Sequence, residues 1–194
     1  MNDRLQDRIK GAREILALLS TFRSLPKKDV EDYIISLGYV PAQLIAELTE
    51  NNLCFSDKDG SLSECRGAKG SVKGMLCFKT ARALCKGETF YIREAAFPFD
   101  YIVSCKDRNY LLLYFNDGGK TRLSFYNHMK KEAGERPVPV IIFVNQPADE
   151  LYEKDGSGSS FLIPQEPYII SRVSYKNDSQ YITFKEMEGQ KDEG

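Results

Sequence analysis

The chain has 194 residues, room for one domain of ordinary size or two small ones. Hydrophobic residues make up 42% and charged residues 28%, a balance that excludes wholesale disorder. The net charge of -1 gives the whole chain no polyanion-binding signature, yet its halves differ: residues 1–87 hold 14 Lys+Arg against 11 Asp+Glu, and residues 88–194 hold 13 against 17.

That change of sign coincides with a change of pattern, from helical to extended. We therefore expect two domains, 1–87 and 88–194. The five cysteines (Cys54, Cys65, Cys77, Cys85 and Cys105) form no C-x-x-C pair, and His128 is the one histidine. Structural zinc takes closely spaced pairs of such residues, so no metal or other cofactor is expected. The odd cysteine count and the absence of a leader-like N-terminal pattern predict reduced thiols in a cytoplasm. The longest apolar runs, such as Val138–Val144, are far shorter than a membrane span, so no membrane partner is expected.

In chain order, the first predicted helix runs from about Arg4 to Phe22. Leu5, Ile9, Ala12, Leu16 and Leu19 recur at four-three spacing and predict one apolar face, with Arg4, Arg8, Lys10 and Arg13 largely off it. Pro26 opens a second helix, because its missing N–H costs nothing in a first turn. Val30, Ile34 and Leu37 form its stripe with Tyr33 beside them, and Gly38 supplies a left-handed cap. Pro41 starts a third helix with Leu44, Ile45 and Leu48 inward, ended by Asn51-Asn52. Leu53–Ser56 and Ser61–Ser63 read as a short hairpin around Asp57-Lys58-Asp59-Gly60, since Asp-Gly suits the positive φ of tight turns. Helix, turn, helix and hairpin together outline a winged helix-turn-helix. A Gly-rich loop from Cys65 and a helix from about Lys73 to Cys85 follow.

Beyond Gly87 strands are expected at Thr89–Glu94, Asp100–Cys105 and Tyr110–Phe115, an amphipathic helix at about Lys120–Ala133, and a strand buried on both faces at Val138–Val144. One helical turn at Asp149–Lys154 and a Gly/Ser loop at Asp155–Ser160 precede a hairpin of Tyr168–Tyr175 and Gln180–Lys185, within 167–186. The expected class is α+β or α/β: an N-terminal winged helix followed by a small mixed-sheet domain of βββαβ order (core 88–145) plus a C-terminal hairpin.

A winged helix places its third helix in the major groove while basic side chains neutralise phosphate. Here the third helix offers Gln43 and Asn51 to base edges but carries Glu47 and Glu50 and no Lys or Arg. The second helix contributes Lys27 and Lys28, and the hairpin turn Lys58. Residues 65–86 hold Arg66, Lys69, Lys73, Lys79, Arg82 and Lys86 with no acid. The candidate DNA contacts are therefore Lys27, Lys28, Gln43, Lys58, Arg66, Lys69, Lys73, Lys79 and Arg82. The alternative is a scaffold for a protein partner or a homodimer.

Other motifs carry little chemistry. His128 has no nucleophile motif beside it and reads as a surface residue. Asp117-Gly118-Gly119-Lys120 lacks most of a phosphate loop, and Gly156–Ser160 lacks the order of a nucleophile elbow. Phe90, Tyr91, Phe97, Phe99 and Tyr101 read as packing residues.

The order of elements from Thr89 to Val144 resembles the core of the PD-(D/E)xK restriction-endonuclease-like superfamily. Pro98-Phe99-Asp100 stands where that superfamily has a metal-binding aspartate, which makes Asp100 the single metal candidate. The resemblance implies an acid, one spacer and a lysine on the third strand, yet Tyr110–Phe115 has neither group. A core without catalytic residues follows, and a divergent metal-dependent nuclease is the lesser alternative. The whole arrangement, residues 5–145, is similar to the plasmid replication-relaxation family and its relatives on mobile elements. That similarity implies a non-catalytic, DNA-associated role in plasmid or mobile-element replication, transfer or regulation. Some antitoxin-type repressors share the two-domain plan.

Overall fold

The computed structural model describes residues 2–106, 108–115, 121–126, 128, 140–144, 168–176 and 179–187. The chain divides into two compact units, Met1–Arg93 and Glu94–Gly194. The expected division at 87/88 falls in the turn after the fourth helix, where Gly87 has φ +82°.

In the first unit, α1 (Asn2–Phe22) leads through Arg23, at φ +66°, into the short strand β1 (Ser24–Pro26). Helices α2 (Lys27–Ser36) and α3 (Pro41–Glu50) follow, then β2 (Phe55–Ser56), β3 (Ser61–Ser63) and α4 (Val72–Cys85). Helix α2 stops where Gly38 takes φ +85°. The Gly38 amide then donates to Ile35 O (2.9 Å) and the Tyr39 amide to Ile34 O (3.1 Å), which closes the helix end with both bonds of a Schellman cap. Leu44, Ile45 and Leu48 are buried on α3, and Asn52 has the positive φ (+56°) expected of an Asn terminator. The predicted turn forms as well: Gly60 has φ +80°, and the Asp57 amide donates to Ser61 O.

Two features depart from expectation. The first is β1, which pairs antiparallel with β3 (Leu25 opposite Leu62) and makes a three-stranded sheet in the order β1-β3-β2. The second is the buried face of α1. Leu5 and Ile9 are exposed (56% and 45%), and the buried residues are Ile15, Leu18, Leu19 and Phe22. Gly11 explains the rotation. A Cβ there would stand 2.6 Å from Leu44 Cδ1 and 3.1 Å from Tyr39 Cγ, so α1 approaches α3 along its glycine face.

An aromatic cluster lies within the core of this unit. Phe78 of α4 lies edge-on to Phe22 of α1 (5.5 Å) and Tyr33 of α2 (6.1 Å), and 6.1 Å from Phe90. Leu76, Cys77 and Cys85 of α4 are buried too, so the helical cysteines serve as small apolar residues.

The strands β4 (Phe90–Glu94), β5 (Tyr101–Cys105), β6 (Arg108–Tyr114), β7 (Val140–Val144), β8 (Tyr168–Lys176) and β9 (Ser179–Met187) form one sheet in sequence order. It is mixed: β5–β6 and β8–β9 are antiparallel, β6–β7 and β7–β8 parallel. The predicted C-terminal hairpin thus joins the same sheet, with Ile142 opposite Ile169. Residues 121–126 and 128 are helical, within the predicted helix. Ile141–Val144 are all buried, as a strand covered on both faces requires. Leu113, Phe115, Leu123, Phe143, Tyr168 and Ile170 cluster on one face. The expectations for 117–120, 149–154 and 155–160 lie outside the described residues.

Candidate nucleic-acid interface

The small sheet of the first unit organises the basic residues into two groups, one at each end. At the turn end, the Lys27 amide donates to Gly60 O (3.0 Å), so the start of α2 is stitched to the hairpin tip. The backbone of Lys27 and Lys28 therefore starts beside the hairpin turn that carries Lys58, and all three residues are exposed. Acids share this end. Lys27 Nζ lies 3.8 Å from Glu31, and Asp57 and Asp59 flank Lys58. These two aspartates brace the turn: Asp59 accepts from the Ser61 hydroxyl (2.6 Å) and amide (3.0 Å), and Asp57 accepts from the Ser63 hydroxyl (2.7 Å). The Ser61 bonds hold the Asp59 carboxyl below the usual carboxylate range.

At the open end lies the loop between β3 and α4. The Glu64 amide donates to Arg23 O (2.9 Å), and Gly70 packs so closely that a Cβ there would be 2.3 Å from Ser24 O. Ser71 then caps α4 by accepting from the Gly74 amide (2.9 Å). The loop is therefore pinned at both ends against β1. It presents Arg66 and Lys69 to solvent, and the Arg66 guanidinium lies 5.3 Å from the centre of the Phe55 ring. The three residues of β3 separate the two basic groups, roughly 10 Å at the rise of an extended strand.

Arg82 is placed otherwise than expected. Its guanidinium donates to Asp29 (2.7 Å) and Asp32 (2.6 Å), clamping α4 to α2. A guanidinium committed to two carboxylates is a poor phosphate contact, because it must give up both to make one. Lys73 and Lys79 lie half-buried along α4. Gln43 is exposed on α3, one turn before Glu47.

Glu47 itself is paired with Arg8 of α1. The hydrogen bond and charge of Arg8 hold its carboxyl below the usual range, and Glu47 in turn raises the Arg8 guanidinium. Neither this pair nor the Arg82 clamp has a local signal in the sequence, since the partners stand 39, 53 and 50 positions apart.

The side chain of Asp100, the metal candidate, is 5% exposed, and its Oδ2 accepts from the Tyr114 amide (2.8 Å) and from Arg122 (3.0 Å). This carboxylate ties the end of β6 to the helical residues around 122, and a metal ion there would have to displace a guanidinium. No cluster of three or more potential metal ligands occurs among the described residues. His128 is exposed. No described helix is long and apolar enough to cross a membrane. Compared with known proteins, the chain matches no family model, no curated protein and no solved structure.

Proposed function

We propose that the chain is a non-catalytic DNA-associated protein. In this reading its first unit is a winged helix and its second a restriction-endonuclease-like core without the catalytic pair. The order α1-β1-α2-α3-β2-β3, with β1 closing onto β3, supports the winged helix. Three strands, a helical stretch and a fourth strand parallel to the third support the core. The resemblance to the replication-relaxation family adds a role in mobile-element replication, transfer or regulation.

One observation carries the DNA reading. Arg66 and Lys69 are held at one end of the small sheet by the Gly70–Ser24 approach, and Lys27, Lys28 and Lys58 stand at the other. The unit that holds them has 15 Lys+Arg against 12 Asp+Glu over residues 1–93. Phosphate contact comes from the wing and the loop that follows it. Arg82 braces the fold.

A mobility-shift titration on random-sequence duplex tests this. A shift at low salt that weakens steeply at moderate salt is expected. No salt-dependent shift at high protein concentration would remove the reading. A second reading, a protein-interaction or dimerisation module, is favoured by the exposure of Leu5 and Ile9 on α1. Light scattering separates the two, because a stable dimer disrupted by Leu5→Asp/Ile9→Asp would favour the module.

A further inference from the structure

As a bare sequence, α3 is a poor helix to bring near phosphate, because Glu47 and Glu50 lie on it. The packing of α1 alters what Glu47 presents. Gly11 faces Leu44 and, one turn toward the N-terminus, Arg8 faces Glu47, one turn further along α3. The two helices are thus antiparallel at this contact. The missing side chain at Gly11 allows an approach close enough for the Arg8 guanidinium to bond Glu47 Oε1. The ion pair remains accessible, its side chains 47% and 36% exposed, so water screens it and its share of stability is small. Its effect on the sign of the surface is larger. With Arg8 in place the Glu47 position of α3 presents a neutral ion pair, and without Arg8 it presents an anion.

We infer that Arg8 is a positioning residue for nucleic-acid binding: it cancels Glu47, one of the two acids of α3, and so weakens the repulsion this helix offers a duplex. The inference rests on the duplex-binding reading above. It assigns Arg8 an action through Glu47, distinct from a direct phosphate contact, and the two actions differ in a double-variant experiment.

The experiment is an anisotropy titration of a labelled random duplex with the full chain at low salt, with circular dichroism on every variant. Arg8→Ala is expected to weaken binding roughly fivefold, the scale of one charge at a phosphate-facing surface. Glu47→Gln, which leaves Arg8 uncancelled, should tighten it by about threefold. The double variant Arg8→Ala/Glu47→Gln should return to within about twofold of wild type, and Arg8→Lys should do the same. A double variant as weak as Arg8→Ala would overturn the inference, since Arg8 would then be contacting phosphate itself. Arg8→Ala and Glu47→Gln both indistinguishable from wild type would also overturn it. Should Arg8→Ala fail to fold, Glu47→Gln still decides: tighter binding supports the role and unchanged binding removes it. Wild-type chain that does not bind duplex at all removes the duplex reading, and this role falls with it.

Discussion

Gly70 shows how one residue fixes the position of a candidate surface. Its α-carbon stands against the Ser24 carbonyl, and a Cβ would lie 2.3 Å from that oxygen. Because Ser24 is itself paired in β1, its carbonyl has little freedom to move. Gly70→Ala is therefore expected to cost about 2 kcal/mol, the usual scale of overpacking, measured as a lower urea midpoint. The cysteines separate equally clearly. Cys65 is exposed, whereas Cys54, Cys77, Cys85 and Cys105 are buried, and burial pushes the Cys54 thiol up. A thiol reagent should label Cys65 rapidly in the native chain and the other four only on unfolding; fast labelling of a second site would contradict the packing. In the second unit, Arg122→Ala would remove a hydrogen-bonded cation from the buried Asp100 carboxylate. A loss of about 3 kcal/mol is expected by denaturant titration. Pro98-Phe99-Asp100 resembles a metal motif because a sequence displays a carboxylate but not its partner, and Arg122 stands 22 positions away.

At the scale of elements, α4 holds the first unit together. Phe78 touches aromatic rings from α1, α2 and β4. Truncating it to Ala should cost about 4 kcal/mol, from the apolar packing removed and the cavity left behind. Arg82 joins the same helix to α2 but is 39% exposed on its side chain, which screens the pairs with Asp29 and Asp32. Arg82→Ala should cost only about 1 kcal/mol and leave duplex binding unchanged well below the melting temperature. A loss of binding equal to that of a Lys27 or Arg66 variant would return Arg82 to the phosphate-facing set.

Helix periodicity, Pro and Gly punctuation and the Asp-Gly turn are legible in the sequence, because each depends on neighbours within a few residues. The strand β1 is not legible, since three residues show no alternation and Ser24–Pro26 pairs only with a hairpin far along the chain. The buried face of α1 differs from the one its spacing predicts, because spacing counts apolar side chains and takes no account of a close approach through Gly11. Leu5 and Ile9 fit the stripe as well as any residue and are nevertheless exposed.

For the whole molecule, charge placement matters more than charge total. A net charge of -1 conceals a positive first unit, and the basic residues of that unit fall into groups with different roles. Lys28, Lys58, Arg66 and Lys69 are exposed around the small sheet and Lys27 is exposed beside Glu31 at 3.8 Å, whereas Arg8 and Arg82 hydrogen-bond carboxylates. The set of basic candidates is readable from the sequence. Its division is not, because that depends on which acids the fold brings alongside. The measurement that tests the central claim most directly is the salt dependence of duplex binding for wild type and for Arg66→Ala/Lys69→Ala. The account predicts that the slope of log affinity against log salt becomes shallower by roughly 2 in the double variant, about 0.9 for each phosphate no longer neutralised. An unchanged slope, or no binding by the wild-type chain, would contradict it.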